Sequence, residues 1–497
     1  METVLHELSQ VSHLVALACG ALLVMMVDAF DSGKEKRLLI PELITGLTFV
    51  VSGYYLYDIW GISSSQPLLG GAILGDAFAQ CIALLVIAGG SITYLMSLGT
   101  TQREGIDAAG AFYSLMLFAC TGGILFASAA DYITMFLGLE ILSMAVYVLC
   151  GSSVALKGSA SKRSAEASLK YFLLGAFSSA FFLYGVALLY GLTGTFSLAE
   201  IGARIGTVDP TIVFLALGLL LVGLCFKIGI VPFHFWVPDA YQGAPTIVTA
   251  FMSSVIKVVA VAGALRVLWI SFRAEVVFWS GVVWLLAVMT IVLGNLVALR
   301  QRSVKRMLAY SSIAQAGYIL TGFLSIGGTL GGGNAILYYL AIYSLVSLGS
   351  FGVVAAVTGN TTASQHPDDL SRFNALGKRR PVLAASMTLF LLTLAGLPPG
   401  IAGLVGKLYL FSAAVQADYI GLVIIAVLGS AVSCYYYLRI VVAMYFVEHD
   451  AERERIDEIG LPMVAGLTLC VIGTLWLGVF PDGIYAVAVQ AIQGLRG

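Results

Sequence analysis

Runs of about 20 mainly apolar residues, the length a helix needs to cross a bilayer, recur along this chain and leave little between them. They cover approximately 10–30, 39–58, 77–97, 107–129, 131–151, 167–191, 210–242, 245–268, 275–299, 303–324, 335–358, 382–416, 418–446 and 461–480. Such a chain cannot hide its apolar surface as a water-soluble globule, because 59% of its 497 residues are hydrophobic and 11% charged, against roughly 25% charged in soluble proteins. The predicted fold class is an all-α polytopic membrane protein with about 14 transmembrane helices, and its first partner is the lipid bilayer. The first run has no basic n-region and no small-residue cleavage site, so it reads as a retained helix rather than a signal peptide. A net charge of -1 supplies no basic surface for nucleic acid, and no nucleic-acid partner is expected.

Lysine and arginine in short loops stay on the cytoplasmic side of a membrane. The loops that follow odd-numbered helices carry seventeen such residues, among them Lys34, Arg103, Lys162, Arg302, Lys378 and Arg453, whereas the opposite side has Arg204, Arg273 and Arg496. This asymmetry fits one register, and an even number of spans then puts both termini on the non-cytoplasmic side. A bacterial cytoplasmic (inner) membrane is the expected location.

Two runs are too long for one span and are interrupted near their middles. Helix 7 breaks at Gly229-Ile230-Val231-Pro232 and helix 12 at Gly396-Leu397-Pro398-Pro399-Gly400. Proline removes a donor and clashes with the preceding turn, so Gly229, Pro232, Pro398 and Pro399 mark two discontinuous helices. Released carbonyls need partners in lipid, which places such breaks inside protein or along a wet cavity. The breaks lie five helices apart, and an odd offset reverses orientation, so any repeat relating them is inverted. The expected organisation is helices 1–3 over 1–106, two inverted five-helix repeats, helices 4–8 over 107–268 and helices 9–13 over 275–446, then a cytoplasmic linker and helix 14 over 447–497.

Charges inside these runs are costly. Glu140 lies near the centre of helix 5, Lys227 just before the break of helix 7, Lys257 at the middle of helix 8, and Lys407 after the break of helix 12; Lys170 is about one turn into helix 6. A central charge costs roughly 2.5–3.5 kcal/mol, so Glu140, Lys227, Lys257 and Lys407 together cost on the order of 10–14 kcal/mol, comparable to a domain's whole stability. Buried ion pairing is the plain alternative, and Lys170, close to a cytoplasmic end, has snorkelling or simple pairing open to it. One acid cannot neutralise three mid-membrane lysines. Desolvation and neighbouring positive charge favour the neutral amine, which lets a lysine accept and release protons near neutral pH. A row of such groups at one depth reads as a proton relay. His234 could extend it, or could be a histidine satisfied by a carbonyl freed at the break.

Other features carry less. The seven cysteines are single and without C-x-x-C spacing, and two of the five histidines, His366 and His449, fall in polar loops, so no cofactor and no metal is expected on this chain. The run Gly400 to Lys407 has one residue too many for a phosphate loop and lies in an apolar half-helix. The charged run Glu448–Glu458 reads as a solvated linker or a subunit contact, and Asp368-Asp369 as a cap opening a short helix.

The stretch from Phe226 through Lys227, His234 and Pro238 to Gln242-Gly243-Ala244-Pro245-Thr246, followed by Ser253-Ser254-Val255-Ile256-Lys257, closely resembles the antiporter-like membrane subunits of respiratory complex I, the proton-pumping NADH:quinone oxidoreductase. The Gln242–Thr246 ending and the run Gly396 to Tyr409 resemble the N-type (chain 2 in mitochondria); the M-type carries Glu where Lys407 stands, and the L-type has a lateral C-terminal helix for which there are no residues here. Gly138-Leu139-Glu140, Ser168-Leu169-Lys170-Tyr171-Phe172 and Lys305 to Tyr318 match as well. The resemblance implies that FMN, iron–sulfur clusters, NADH and quinone reside on other subunits, and that the partners are further membrane subunits, antiporter-like ones included. It also implies a proton-translocating axis of Glu140, Lys170, Lys227, Lys257 and Lys407, with Glu140 modulating Lys227, Lys257 passing the proton centrally and Lys407 facing the exit.

The leading expectation is thus a proton-translocating subunit driven by redox chemistry elsewhere. A subunit of a multi-chain Mrp-type cation/proton antiporter is the alternative, disfavoured by the Gln242-Gly243-Ala244-Pro245 turn. A membrane scaffold whose charges merely pair is the third.

Overall fold

The computed structural model describes all residues except 1–6, 31–38, 63–66, 102, 107, 156–158, 327–330, 359–367, 449–457 and 497. Among the described residues there are helices and isolated bridges but no strands. The spans are α1 (Ser12–Phe30), α2 (Leu39–Asp58), α3 (Ala77–Ser97), α4 (Ala109–Ser128), α5 (Tyr132–Cys150), α6 (Ser159–Thr193), α7a (Pro210–Ile228) with α7b (Trp236–Gly243), and α8 (Thr246–Ser271). They continue as α9 (Val276–Ala298), α10 (Val304–Phe323), α11 (Gly332–Thr358), α12a (Pro381–Ala395) with α12b (Ile401–Gln416), α13 (Ile420–Phe446) and α14 (Leu461–Val479). Among the described residues the fourteen expected helical segments and both discontinuous helices are present.

Twelve of these helices are apolar and long enough to span alone. The exceptions are informative: α12 is divided, and α10 carries Lys305, Arg306, Ser311, Ser312 and Gln315 within its first twelve residues. Burial sorts the bundle into shells. The spanning window of α8 is wholly buried and that of α11 nearly so, whereas α1, α2, α9 and α13 bury about one third of theirs. Outward-facing side chains such as Leu43, Val50, Val277 and Leu428 are exposed, as a helix facing lipid requires. Lys257, on α8, is therefore surrounded by protein and not by lipid.

The structure extends the sequence expectation at several points. Helix α6 begins at Ser159 rather than near 167, because the polar turns before Lys170 remain helical above the apolar zone. A short helix, Leu198–Arg204, is capped by Ser197, whose Oγ accepts from the Glu200 N–H. After α14 the chain forms one more helix, α15 (Pro481–Arg496), whose Ala488, Ala491, Ile492 and Leu495 are buried at helical spacing. Asp369 caps a single turn at Leu370–Phe373. Most of the charged run Glu448–Glu458, and loop lysines such as Lys34 and Lys36, lie outside the described residues. Arg266 and Arg439, which belong to no loop, are also accounted for: Arg266 is fully buried and grips Asp76 with two N–H···O contacts of 2.9 and 3.0 Å, and Arg439 donates to the Leu299 carbonyl at 3.0 Å.

Candidate functional site

The two helix breaks share one geometry. Helix α7a ends at Gly229 with φ +83°, and the N–H groups of Gly229 and Ile230 both return to the Cys225 carbonyl at 2.9 Å. Helix α12a ends at Gly396 with φ +78°, and the N–H groups of Gly396 and Leu397 return to Leu392 at 2.9 Å. Both are left-handed C-caps that glycine enters without a side-chain penalty. At the first break Trp236 Nε1 takes the freed Phe226 carbonyl at 2.8 Å, and Thr290 Oγ1 of α9 accepts from the Val231 N–H at 3.1 Å. Released backbone groups are thus satisfied inside protein.

Lys227, Lys257 and Lys407 are all buried, and each ammonium rests on a serine and beside a tyrosine ring. Lys227 Nζ donates to Ser143 Oγ of α5 at 2.8 Å and lies 5.5 Å from the centre of the Tyr147 ring. Lys257 Nζ donates to the Ser312 carbonyl at 2.5 Å and contacts the same residue's hydroxyl, with the Tyr343 ring at 5.4 Å. Lys407 Nζ donates to Ser430 Oγ and the Leu394 carbonyl, both at 2.8 Å, and to Ala395 at 3.1 Å, with the Tyr318 ring at 4.9 Å. Its seat is therefore the carbonyl end of α12a, where the helix dipole is negative. A π-helical segment, Met252–Ile256, immediately precedes Lys257, a local widening of the kind found at functional positions. Among the described residues none of the three lysines has a carboxylate within 4.0 Å.

Between Lys257 and Lys407 lies a polar cluster on α10, α11 and α13. Tyr343 donates to Ser312 Oγ at 2.8 Å. Gln315 Nε2 donates to Tyr437 OH at 3.2 Å and to the Leu394 carbonyl at 3.1 Å, the oxygen that also holds Lys407. Tyr339 OH donates to Gln315 Oε1, and Ser311 and Tyr437 share a hydrogen bond. Ser311, Ser312 and Gln315 of α10 thus face this cluster.

Among the described residues Glu140 forms no ion pair with Lys227, and its buried Oε1 has no hydrogen-bond partner. His234 is buried with its Nδ1 likewise unpartnered. Lys170 is placed elsewhere: its half-exposed ammonium pairs with Glu166 at 2.7 Å and Asp239 at 3.1 Å, and Asp239 also binds Arg306 at 2.7 Å. These groups, with Arg163 and Gln242, line a vestibule of about 200 Å³ on the face rich in basic residues. Near it, outside the spans, Glu104 accepts from the Thr246 and Ile247 N–H groups at 3.0 and 3.2 Å and so caps α8. Burial holds the Glu104 carboxyl above the usual range, against the opposing pull of Lys305 and those two N–H groups.

Ser143, Ser312, Ser430, Gln315, Tyr339, Tyr343, Tyr437 and Glu104 were not candidates from sequence. Serine and tyrosine are common in helices, and the one sequence signal, the unusually polar α10, points to Ser312 and Gln315 alone.

Comparison with known proteins agrees with this geometry. A family model described as NADH:quinone oxidoreductase/Mrp antiporter, TM, matches residues 129–433, which includes both breaks and all three buried lysines. The chain belongs to that family. NADH-quinone oxidoreductase subunit N of Trichlorobacter lovleyi is 40% identical over 482 residues, 96% of each chain. A chain of respiratory complex I from Thermus thermophilus with bound aureothin superimposes with a TM-score of 0.78 at 33% identity, covering 95% of this chain and 98% of that one. A chain of the Mrp complex from Dietzia sp. DQ12-45-1b has a TM-score of 0.83 at 21% identity, with 99% and 100% covered, and shares the fold.

Proposed function

We propose that this chain is the N-type proton-translocating membrane subunit of a NADH:quinone oxidoreductase, driven by electron transfer to quinone in other subunits. NADH, FMN, iron–sulfur clusters and quinone belong, in this reading, to those partners, which include further antiporter-like subunits. The observation that carries it is the pairing of each buried amine with a hydroxyl instead of a carboxylate. A serine accepts a hydrogen bond from an ammonium and, after the proton leaves, turns to donate its own hydrogen to the amine. Both protonation states remain hydrogen-bonded, so the proton can be lost without stranding an unpaired buried charge, as it would be in an ion pair. Protons reach the row from the basic, cytoplasmic face, where the Lys170–Asp239–Arg306 vestibule opens, pass Lys227 under the influence of Glu140, cross Lys257, and leave from Lys407. Conformational and electrostatic change in neighbouring subunits sets the timing. The membrane is a bacterial inner membrane, with both termini outside the cytoplasm.

Subunit N relatives at 40% identity favour this reading over a cation/proton antiporter. Lys257→Ala in the assembled complex tests it, with quinone reduction and proton uptake measured together. Assembly should be kept and coupled turnover should fall by about tenfold or more, since each 1.36 kcal/mol added to a barrier is tenfold and a mid-membrane proton without an acceptor costs more. Normal protons per electron at normal turnover would remove Lys257 from the path.

A further inference from the structure

A single turn of α10 reaches both the central and the exit lysine. Ser312, which holds Lys257, and Gln315 stand at i and i+3 of the helix and share a face, about 4.5 Å apart along its axis. Gln315 is wholly buried, and among the described residues it is the one member of the polar cluster that bonds to the seat of Lys407, through the Leu394 carbonyl. A carbonyl oxygen can only accept, so that contact fixes which end of the side chain is nitrogen. Nε2 then faces Leu394 and Tyr437, and Oε1 faces Tyr339, which has to donate to it. Tyr437 is bonded on its other side to Ser311. Serine and tyrosine hydroxyls both donate and accept, so each can take a proton on one side and release another. A carboxamide cannot: its nitrogen only donates and its oxygen only accepts, and a proton arriving at Oε1 finds none on that atom to hand on. The other approach to Lys407, through Tyr318, whose ring lies 4.9 Å from the ammonium, also ends on an amide. Asn295 Nδ2 donates to Tyr318 OH at 3.0 Å, and Asn295 Oδ1 accepts from Tyr436 OH at 3.1 Å.

We infer that Gln315 is a gate between Lys257 and Lys407, closed in this structure, and that protons cross when its side chain withdraws and water takes its place. The inference deepens the relay reading above and rests on it. The vacated space is bounded by Tyr339 OH, Tyr437 OH and the Leu394 carbonyl, and a buried water needs two to four such polar partners. In the closed position the amide keeps Leu394 hydrogen-bonded whether or not Lys407 holds its proton, so the exit seat survives each discharge. A closed gate also keeps protons that enter from the exit side from running back to Lys257.

Passive proton flux through the assembled complex in liposomes, driven by an imposed pH gradient without NADH, tests the gate. Gln315→Ala leaves room for water among the same three partners and should raise the flux about tenfold, the change given by a barrier lowered by 1.36 kcal/mol. Gln315→Met fills the space with a side chain that donates nothing; flux should stay at the parent level while coupled turnover slows. Adding Lys257→Ala to Gln315→Ala should remove the extra flux, because the opened path runs through that amine. If the methionine variant does not assemble, Gln315→Glu decides: a neutral carboxyl has the same shape, donates and accepts, and should raise flux as alanine does. Flux in Gln315→Ala no higher than in the parent, equal flux in the alanine and methionine variants, an increase that survives loss of Lys257, or a glutamate variant as tight as the parent would overturn the gate. The relay itself fails separately, on normal pumping in Lys257→Ala with Gln315 intact.

Discussion

A hydroxyl beside a buried amine can act as acceptor or donor, and that property decides what changes at Ser312 should do. Ser312→Ala leaves Lys257 its carbonyl contact but removes the group that would hold the neutral amine and receive Tyr343. A lost hydrogen bond to a charged group costs about 1.5–3 kcal/mol, so proton uptake per electron should drop, by less than in Lys257→Ala, and Ser312→Thr should restore it. No recovery with threonine would mean that the serine matters for packing alone. Glu140 and Lys227 call for a double-mutant cycle. If the carboxylate stabilises the lysine proton, Glu140→Gln impairs coupled turnover and adds little in a background where Lys227 is already neutral; strict additivity would make the sites independent. Glu104 gives a pH test outside the membrane. Its carboxyl is held above the usual Glu value of about 4.3, so the folded chain favours the neutral form, and that stabilisation, full below pH about 4.3, is lost as pH rises through the folded value. Glu104→Gln should therefore gain in thermal stability relative to the parent as pH is raised, on top of a constant loss from the weakened α8 cap; a difference that is flat with pH would refute the assignment. The charged members of this site stand out in a sequence because charge is rare in apolar runs. Their neutral partners do not, because Ser143, Ser430 and Tyr343 resemble many other helical residues until the fold brings them to the amines.

The two broken helices were legible as elements because glycine and proline act locally, through φ and through a missing donor, and need no tertiary information. Their tight packing was not legible. A Cβ at Gly403 would lie 1.7 Å from the Thr393 carbonyl oxygen, and one at Gly400 2.3 Å from the Thr393 nitrogen, so α12b starts in backbone contact with the end of α12a. Gly403→Ala must push these half-helices apart at a cost of about 1–3 kcal/mol, and the first contacts to lengthen are those from Lys407 to Leu394 and Ala395. Reduced proton uptake with Lys407 still present, in a complex that assembles, is the expected outcome. Unchanged uptake would show that the carbonyl seat is dispensable. Helix α15 escaped the sequence reading for the opposite reason: its buried Ala488, Ala491, Ile492 and Leu495 are interleaved with polar residues, and a search for 20-residue apolar runs passes over a shorter amphipathic helix.

At the scale of the molecule, span number follows from apolar run length and the expected register from the lopsided placement of lysine and arginine, whereas the shell arrangement follows from neither. Mean hydropathy, high in both α8 and α1, does not say whether protein or lipid surrounds a helix; only the fold separates the wholly buried α8 from the mostly exposed α1. That separation matters for function, because an amine at the centre of an enclosed helix can exchange protons with neighbours, while the same amine on α1 would face hydrocarbon. Orientation is testable with single cysteines in a background lacking the seven native ones, most of which are buried. Ala203, on the short helix between α6 and α7a, and Lys378, just before α12a, are both exposed, and the register puts them on opposite faces. A membrane-impermeant thiol reagent should label Lys378→Cys only in inside-out vesicles and Ala203→Cys only in right-side-out ones. Because consecutive spans alternate, one extra or missing crossing between these positions would bring both labels to the same face, so that single result would overturn the fourteen-span register and, with it, the inverted relation of the two breaks on which the relay's opposite half-helices depend.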